Sequence, residues 1–424
     1  MTVTEGQELH EPAPKLRVLF LNDTSRNGGP GHTLFSLLKN LDPARVQRSV
    51  VVPHEGVVAE LLRKGSVADE LTIEPDFVEN LVEPSDRPMV RSDFDAPIAR
   101  KMVRAVSNVS RASRALFRLS ARIRRESFDV LFCNGTSANF AGGALAAMTG
   151  VPVIWHVFYT HVGRPILPLH RRLAASAGVR SIVCVSQPTT QLFEHCRYKV
   201  KVVHDAIDLD DFTARAATPV LRAELGLGPE VVVFMSQGRI VPRKGYVELI
   251  LAVEHATGQM SADERTRCRF VVLGDTPEDM QPDHLAECRE LVRAKNLVDI
   301  VHFLGYRPDV RPYLADADVV VVPSVYEDPL PRAALEGMAF ARPVIAFARG
   351  GLPELIEHGV TGMLVDGKPP NVADLATAFL RYLRDAPVRR QHGVAGRRRA
   401  ERDFDSRPHA EKIQAELFRA AGRG

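Results

Sequence analysis

Two carboxylates, Asp328 and Glu336, enclose the proline-rich turn Asp-Pro-Leu-Pro-Arg-Ala-Ala-Leu-Glu, and a glycine turn, Gly350-Gly351-Leu352-Pro353-Glu354, follows them. A carboxylate accepts two hydrogen bonds from neighbouring hydroxyls of a ribose or hexose and has no use for a phosphate. The amides at Gly350 and Gly351 are suited instead to a phosphate or sugar oxygen. A second cluster, Gly238-Arg239-Ile240-Val241-Pro242-Arg243-Lys244-Gly245, follows an apolar strand and opens a helix. Its glycines let backbone amides approach an anion, while Arg239 offers a bidentate fork and Lys244 a point charge to a diphosphate. It is not a Walker loop, because neither Ser nor Thr follows Lys244 and the glycine spacing differs. Taken singly, each motif also has a plain reading: a solvated Glu on a small-residue helix, or an ordinary strand-to-helix turn with solvated bases.

Gly28-Gly29-Pro30-Gly31, after the opening strand, suggests a dinucleotide fingerprint at first sight. Leu34 stands where the third glycine belongs, and no acid follows at the distance of a ribose partner, so a nicotinamide site is not expected. His156 follows the strand Val153 to Trp155, which should aim its imidazole into a cleft; a lone histidine there is more often structural. Asp-x-Asp pairs occur at Asp93 and Asp95, Asp208 and Asp210, Asp316 and Asp318, and Asp403 and Asp405. None follows a strand beside a credible second ligand, so neither a metal nor any other cofactor is expected.

These residues need a scaffold that brings turns together at the ends of strands. Short runs rich in Val, Ile and Leu alternate with helical stretches: Leu16 to Leu21, Val50 to Val52, Val130 to Phe132, Val153 to Trp155 and Ile182 to Val185. After a linker at Thr213 to Pro219 the pattern restarts at Val231 to Met235, Phe270 to Leu273, Ile300 to Phe303, Val319 to Val322 and Val344 to Phe347. Such alternation predicts parallel sheets with helical crossovers, hence an α/β fold of two doubly wound domains across a cleft. Boundaries are placed at 15–205 and 206–404, with a final helix in 405–424 that caps either domain. In open α/β sheets ligands bind beyond the carboxyl ends of the strands, where these motifs fall.

The 424 residues suffice for two ordinary domains, and 45% hydrophobic content fills their cores. With 55 basic and 52 acidic residues the net charge is +3, which gives no argument for nucleic acid. Five scattered cysteines without a Cys-x-x-Cys pair suggest a reducing compartment, and with no leader or membrane span visible the expected location is cytoplasmic. Between Arg100 and Arg125 every charged residue is Lys or Arg, while Met102, Val106, Val109, Leu116 and Ile123 recur at helical spacing. This predicts an amphipathic basic helix, broken near Ser107 to Ser113. Its cationic face is either solvated scaffold or a peripheral contact with anionic lipid on the inner face of a membrane.

In their order and type these motifs resemble retaining glycosyltransferases of family 4, which have the GT-B fold, and the resemblance spans nearly the whole chain. Gly28 to Gly31 resembles the family's first loop, Trp155-His156-Val157 its cleft histidine segment, and His204-Asp205-Ala206-Ile207-Asp208 the end of its first domain. Asp205 and Ala206 replace the usual Asn-Gly of that last piece. Gly238-Arg239 with Lys244-Gly245 resembles the diphosphate clamp, and the segment from Pro323 to Val365 the Glu-x7-Glu motif with its Gly-Gly-x-Pro-Glu turn. Asp328 stands where Glu is usual, one methylene shorter, which bears on sugar preference more than on the reaction.

The resemblance implies a metal-independent hexosyl transfer, with retention, from a UDP- or GDP-sugar to a hydroxyl of a lipid-linked, polysaccharide or small-molecule acceptor. Arg239 and Lys244 would neutralise the leaving diphosphate, Glu336 would accept from the ribose, and Asp328 from the hexose. His156 would touch the donor sugar. Gly29 and Gly31 would approach the phosphate from the facing domain, with Gly238, Leu330, Pro331, Gly350 and Gly351 completing the donor contacts. Two other readings stand beside it: a nucleotide-sugar epimerase on the same fold, and a nucleotide-sugar-binding subunit without turnover.

Overall fold

A computed structural model of the chain describes residues 14–26, 28–77, 98–213, 217–277 and 283–423. The short apolar runs form two parallel sheets whose central strands are buried on both faces, as continuous Val, Ile and Leu strands demand. The first contains β1 (Leu16–Asn22), β2 (Val46–Val52), β3 (Glu70–Ile73), β4 (Val130–Asn134), β5 (Val153–Val157), β6 (Val179–Cys184) and β7 (Val200–Val202). Their spatial order is β3-β2-β1-β4-β5-β6-β7. The second contains β8 (Val232–Gln237), β9 (Cys268–Leu273), β10 (Val301–Gly305), β11 (Val319–Val322), β12 (Val344–Phe347) and β13 (Gly362–Val365), ordered β10-β9-β8-β11-β12-β13. Both expected doubly wound domains are therefore present. Strand order reverses between β1 and β4 in one sheet and between β8 and β11 in the other, and such switch points open crevices for ligands.

The chain crosses between domains twice, and the crossings lie side by side. Ile207 N–H donates to the Phe404 carbonyl at 2.9 Å, and Ser406 N–H to the Ile207 carbonyl at 3.1 Å. Helix Ala386–Asp403 packs on helix Arg332–Ala339 of the second domain. Helix Ser406–Ala420 then returns to the first, where Ala410, Ile413 and Leu417 join the apolar core around Phe132 and Ile154.

Helix Ile98–Glu126 runs unbroken, unlike the interruption expected near its serines. Ser113 returns its hydroxyl to the Val109 carbonyl at 2.8 Å, and Asn108 is buried, so these polar residues are accommodated within the helix. Its arginines are not a free cationic face. Arg111 and Arg114 pair with Asp76, Arg118 with Glu74 and Asp76, and Arg122 with Glu70 at 2.6 Å. Met102, Val103, Val106, Val109 and Phe117 are exposed instead. Among the described residues no helix is long and apolar enough to cross a membrane.

Candidate active site

The β8 switch point is built from two loops stapled together. Gly238 leaves β8, and a 3-10 turn, Pro242–Lys244, delivers Lys244 before Gly245 opens helix Tyr246–Thr257. Val325 N–H donates to the Arg243 carbonyl at 3.0 Å, fixing the loop after β11 against this turn. Gly245 adopts φ 75°, and a Cβ there would lie 1.8 Å from the Pro323 carbonyl oxygen, so only glycine fits.

This stapling sets Lys244 Nζ 2.6 Å from Asp328 Oδ2, in an ion pair whose carboxylate is almost wholly buried. Ser324 Oγ adds a hydrogen bond to the same oxygen at 3.3 Å. The Tyr326 ring lies 5.3 Å from the Arg243 guanidinium and 5.6 Å from Lys244 Nζ, a cation–π arrangement. Burial, followed by the adjoining Asp328 charge, pushes the Tyr326 phenol well above its ordinary range. Arg239 stands exposed beside this group and acts on the same phenol.

Glu336 faces inward from helix Arg332–Ala339, where it accepts a hydrogen bond from Gln237 at the end of β8. Burial raises its carboxyl above the ordinary value, opposed by Arg332 at 3.6 Å and reinforced by Asp205. Leu330 and Pro331 are buried just before this helix. Gly350 and Gly351 are placed differently from the expectation. Their amides donate to Glu327 Oε2 and the Asp328 carbonyl, each at 2.9 Å, so the loop carrying the acids already occupies them. The approach is close: a Cβ on Gly350 would lie 2.1 Å from the Asp328 carbonyl oxygen.

Across the junction, helix Gly29–Asn40 begins inside the glycine turn, three residues earlier than its expected start near His32. A Cβ on Gly29 would lie 3.5 Å from Arg332 Cδ, so this loop faces the acid-bearing helix directly. Gly31 packs against Val58 instead. Arg332 spans the junction: its guanidinium is 3.6 Å from Asp205 and donates to the Ala206 carbonyl at 3.2 Å. Asp205 also accepts from Thr33 Oγ1 at 2.6 Å. Burial, then the Arg332 charge, lowers the His32 imidazole to about 4.

His156 lies inside β5, which runs on to Val157, rather than after it, and does not open onto a cleft as expected; its ring is fully buried. It shares a sheet face with Asn134 and Phe132, and the returning helix Ser406–Ala420 covers that face with His409. Nδ1 lies 3.0 Å from Asn134 Oδ1, and Nε2 has no hydrogen-bond partner. Burial, with His409 second, holds its basicity well below the ordinary histidine range.

Sequence reading did not assign roles to Arg332, Gln237, Tyr326 or Asn134. The replacement of Asn-Gly by Asp205-Ala206 was the available signal for the Arg332 junction. The Asp-x-Asp acids are spent on arginines, lysine and caps: Asp208 on Lys39, Asp210 on Arg407, Asp316 and Asp318 on Arg222, Asp403 on Arg402, and Asp405 on a helix N-terminus. Asp93 and Asp95 lie outside the described residues. Two surface cavities of about 350 and 740 Å³ lie along the last helices, and neither is lined by Lys244, Asp328 or Glu336. Charge and hydrogen-bond geometry, more than cavity size, make the β8 switch point the candidate site.

Two facing parallel domains with switch points turned toward one junction make this a GT-B fold, and solved structures agree. Anabaena HepE in complex with UDP and glucose matches 95% of this chain and 99% of its own at TM-score 0.75 with 21% identity. WaaG, a glycosyltransferase involved in lipopolysaccharide biosynthesis, matches 94% and 99% at TM-score 0.65 with 14% identity. The model for Glycosyltransferase Family 4 matches residues 27–211, and that for Glycosyl transferases group 1 matches residues 229–385. The chain belongs to this family. A D-inositol 3-phosphate glycosyltransferase of Streptomyces avermitilis is 32% identical over 218 residues, 50% of this chain and 44% of that protein. An uncharacterized glycosyltransferase of Methanocaldococcus jannaschii is 26% identical over 360 residues, 78% of this chain and 84% of that protein. The matched region spans about half the length of most such curated relatives.

Proposed function

We propose that this chain transfers a hexose, with retention and without a metal or other cofactor, from a nucleotide sugar to an acceptor hydroxyl. The observation that carries this is the Lys244–Asp328 pair beside Glu336 at the β8 switch point, facing Gly29. A diphosphate and its hexose separate the pair on binding: Lys244, with Arg239, takes the phosphate charge, and Asp328 is released to the hexose hydroxyls. Until then each charge compensates the other. Glu336, beside Gln237, accepts from the ribose. The bond from the anomeric carbon to the leaving phosphate oxygen breaks while the bond to the acceptor oxygen forms on the same face, and the acceptor's proton ends on that phosphate oxygen. Lys244 and Arg239 stabilise the charge that develops there. The solved relative named with UDP and glucose favours a UDP donor over a GDP donor.

A panel of UDP- and GDP-sugars in thermal unfolding identifies the donor, since a ligand at a hundred times its Kd stabilises by about 2.7 kcal/mol. Donor hydrolysis and transfer are then followed by NMR, which also reads the anomer formed. An altered nucleotide sugar produced without any acceptor would show an epimerase, and nucleotide binding without turnover of any donor would show a binding subunit.

A second reading concerns location on the cytoplasmic side. The exposed stripe Met102, Val106, Val109 and Phe117 favours contact with an anionic membrane through the apolar face of helix Ile98–Glu126, while Arg111, Arg114 and Arg118 are held by Glu74 and Asp76. Met102→Glu with Phe117→Glu should abolish binding to phosphatidylglycerol vesicles. Binding that survives this pair of changes sinks the idea.

A further inference from the structure

We propose that Arg332 is a positioning residue for nucleotide recognition: shared between Asp205 of the first domain and Glu336 of the second, its guanidinium holds the Glu336 carboxylate as an acceptor for the two ribose hydroxyls. The inference rests on the reading that Glu336 accepts from the ribose, and it makes that contact depend on a residue across the junction.

Arg332 and Glu336 lie one turn apart on their helix and share a face. From there the guanidinium stands 3.6 Å from Glu336 Oε1 and 3.6 Å from Asp205 Oδ2. Neither distance is that of a closed pair, so one cation serves two acids. Its place is set by other contacts: Nη1 donates to the Ala206 carbonyl at 3.2 Å, and the stem lies against Gly29. Asp205 is anchored separately, because Thr33 Oγ1 donates to Oδ2 at 2.6 Å and the Ala206 amide to Oδ1 at 2.8 Å. On the far side, Gln237 donates to Glu336 Oε2. Oε1 faces Arg332 Nε, a buried N–H without a hydrogen-bond partner. The carboxylate is thus held at one oxygen and faced by charge at the other, with lone pairs left on both for adjacent hydroxyls.

The same guanidinium governs the charge of that acceptor. Burial raises the Glu336 carboxyl above its ordinary value; Arg332 opposes this, and Asp205 adds to it. Without Arg332, two buried acids would face each other and a proton on Glu336 would be favoured. A protonated carboxyl carries its own O–H and no longer accepts on both oxygens. His32 and His409 also stand near Arg332, from the first and last helices of the facing body, and burial lowers both imidazoles, so they are neutral near pH 7.

The test compares the affinities of UDP and 2′,3′-dideoxy-UDP by calorimetry at pH 6 and pH 8. Taking their ratio cancels the titration of the phosphate common to both. The native protein should prefer UDP roughly tenfold at either pH, the value of a hydrogen bond to a charged acceptor. In Arg332→Gln the preference should vanish at pH 6 and return at pH 8, as Glu336 loses its proton. A merely structural role would weaken both nucleotides equally; that result, or an unchanged preference at pH 6, overturns the proposal. Should Arg332→Gln fail to fold, Asp205→Asn decides: the guanidinium then closes on Glu336 Oε1, so the preference falls at both pH values, and an unchanged preference overturns the proposal. A native protein with no preference would sink the ribose reading and this proposal with it, while transfer itself is read separately by donor turnover.

Discussion

The two switch points have the same topology and opposite chemistry. Between β8 and β11 the crevice holds Arg239, Lys244, Asp328 and Glu336, an arrangement of charges partly open to water. Between β1 and β4 it holds Asn22, Asn134 and His156, a sealed series of neutral groups. The charged crevice is the one a ligand can reach, while the neutral groups are closed into the core of their domain. Buried polar groups of this kind hold a fold in register only when their hydrogen bonds are made within the protein.

The strongest way to break this comparison is to remove charge from the charged side. Lys244→Ala should reduce donor turnover on the order of 10²- to 10³-fold and destabilise the fold by about 3 kcal/mol, because Asp328 is left buried without its cation. Adding Asp328→Asn should restore most of the stability, measured by denaturant unfolding, and none of the turnover. Recovery of both would make the pair a scaffold element. Next in size, Gly245→Ala should lose about 3 kcal/mol by forcing a Cβ into the Pro323 carbonyl at positive φ. Its binding loss should be confined to nucleotide, since the first-domain chain is untouched.

Acid sharpens the comparison, for the two sides respond in opposite senses. His32 has its folded pKa lowered from 6.5 to about 4, so the stability it contributes is present above 6.5 and lost as pH falls toward 4. His32→Gln should flatten that loss by up to about 1 kcal/mol per pH unit in denaturant titrations. Glu336 has its folded pKa raised above 4.5, so its protonated form favours folding below that value and the benefit is lost as pH rises. Glu336→Gln should therefore be more stable than the parent at pH 7, by about 1 kcal/mol, and equal to it at pH 4. Parallel shifts in both variants would show that the two sides do not titrate separately.

The charged side was legible in the sequence because its signals are local. Arg239 and Lys244 sit in one glycine loop, and Asp328 and Glu336 on one turn and the helix after it. What escaped was their pairing: Lys244 and Asp328 meet only because Gly245 allows the β11 loop against its own. The neutral side was nearly invisible. Asn22 and Asn134 are 112 residues apart and meet through the β1–β4 register, and an asparagine ending a strand has no spacing signature. His156 was found by its place after a strand, but its burial depends on helix Ser406–Ala420 returning from the far end of the chain. Both domains were legible from apolar alternation, while β3, β7 and β13 were missed as short, partly exposed edge strands.

The paired crossings at Ile207 and Asp405 have a mechanical consequence. A single linker would leave the domains free to twist, tilt and slide, whereas two adjacent strands of backbone tied by hydrogen bonds form a short axle. Rotation about it would be the soft coordinate and the other motions stiff. Arg332, which reaches from one body to Asp205 beside that axle, sits where leverage is small. Gly29 lies against Arg332, so the glycine turn also sits close to the pivot and would move little as the domains rotate, whereas the far rims of the two bodies would move most.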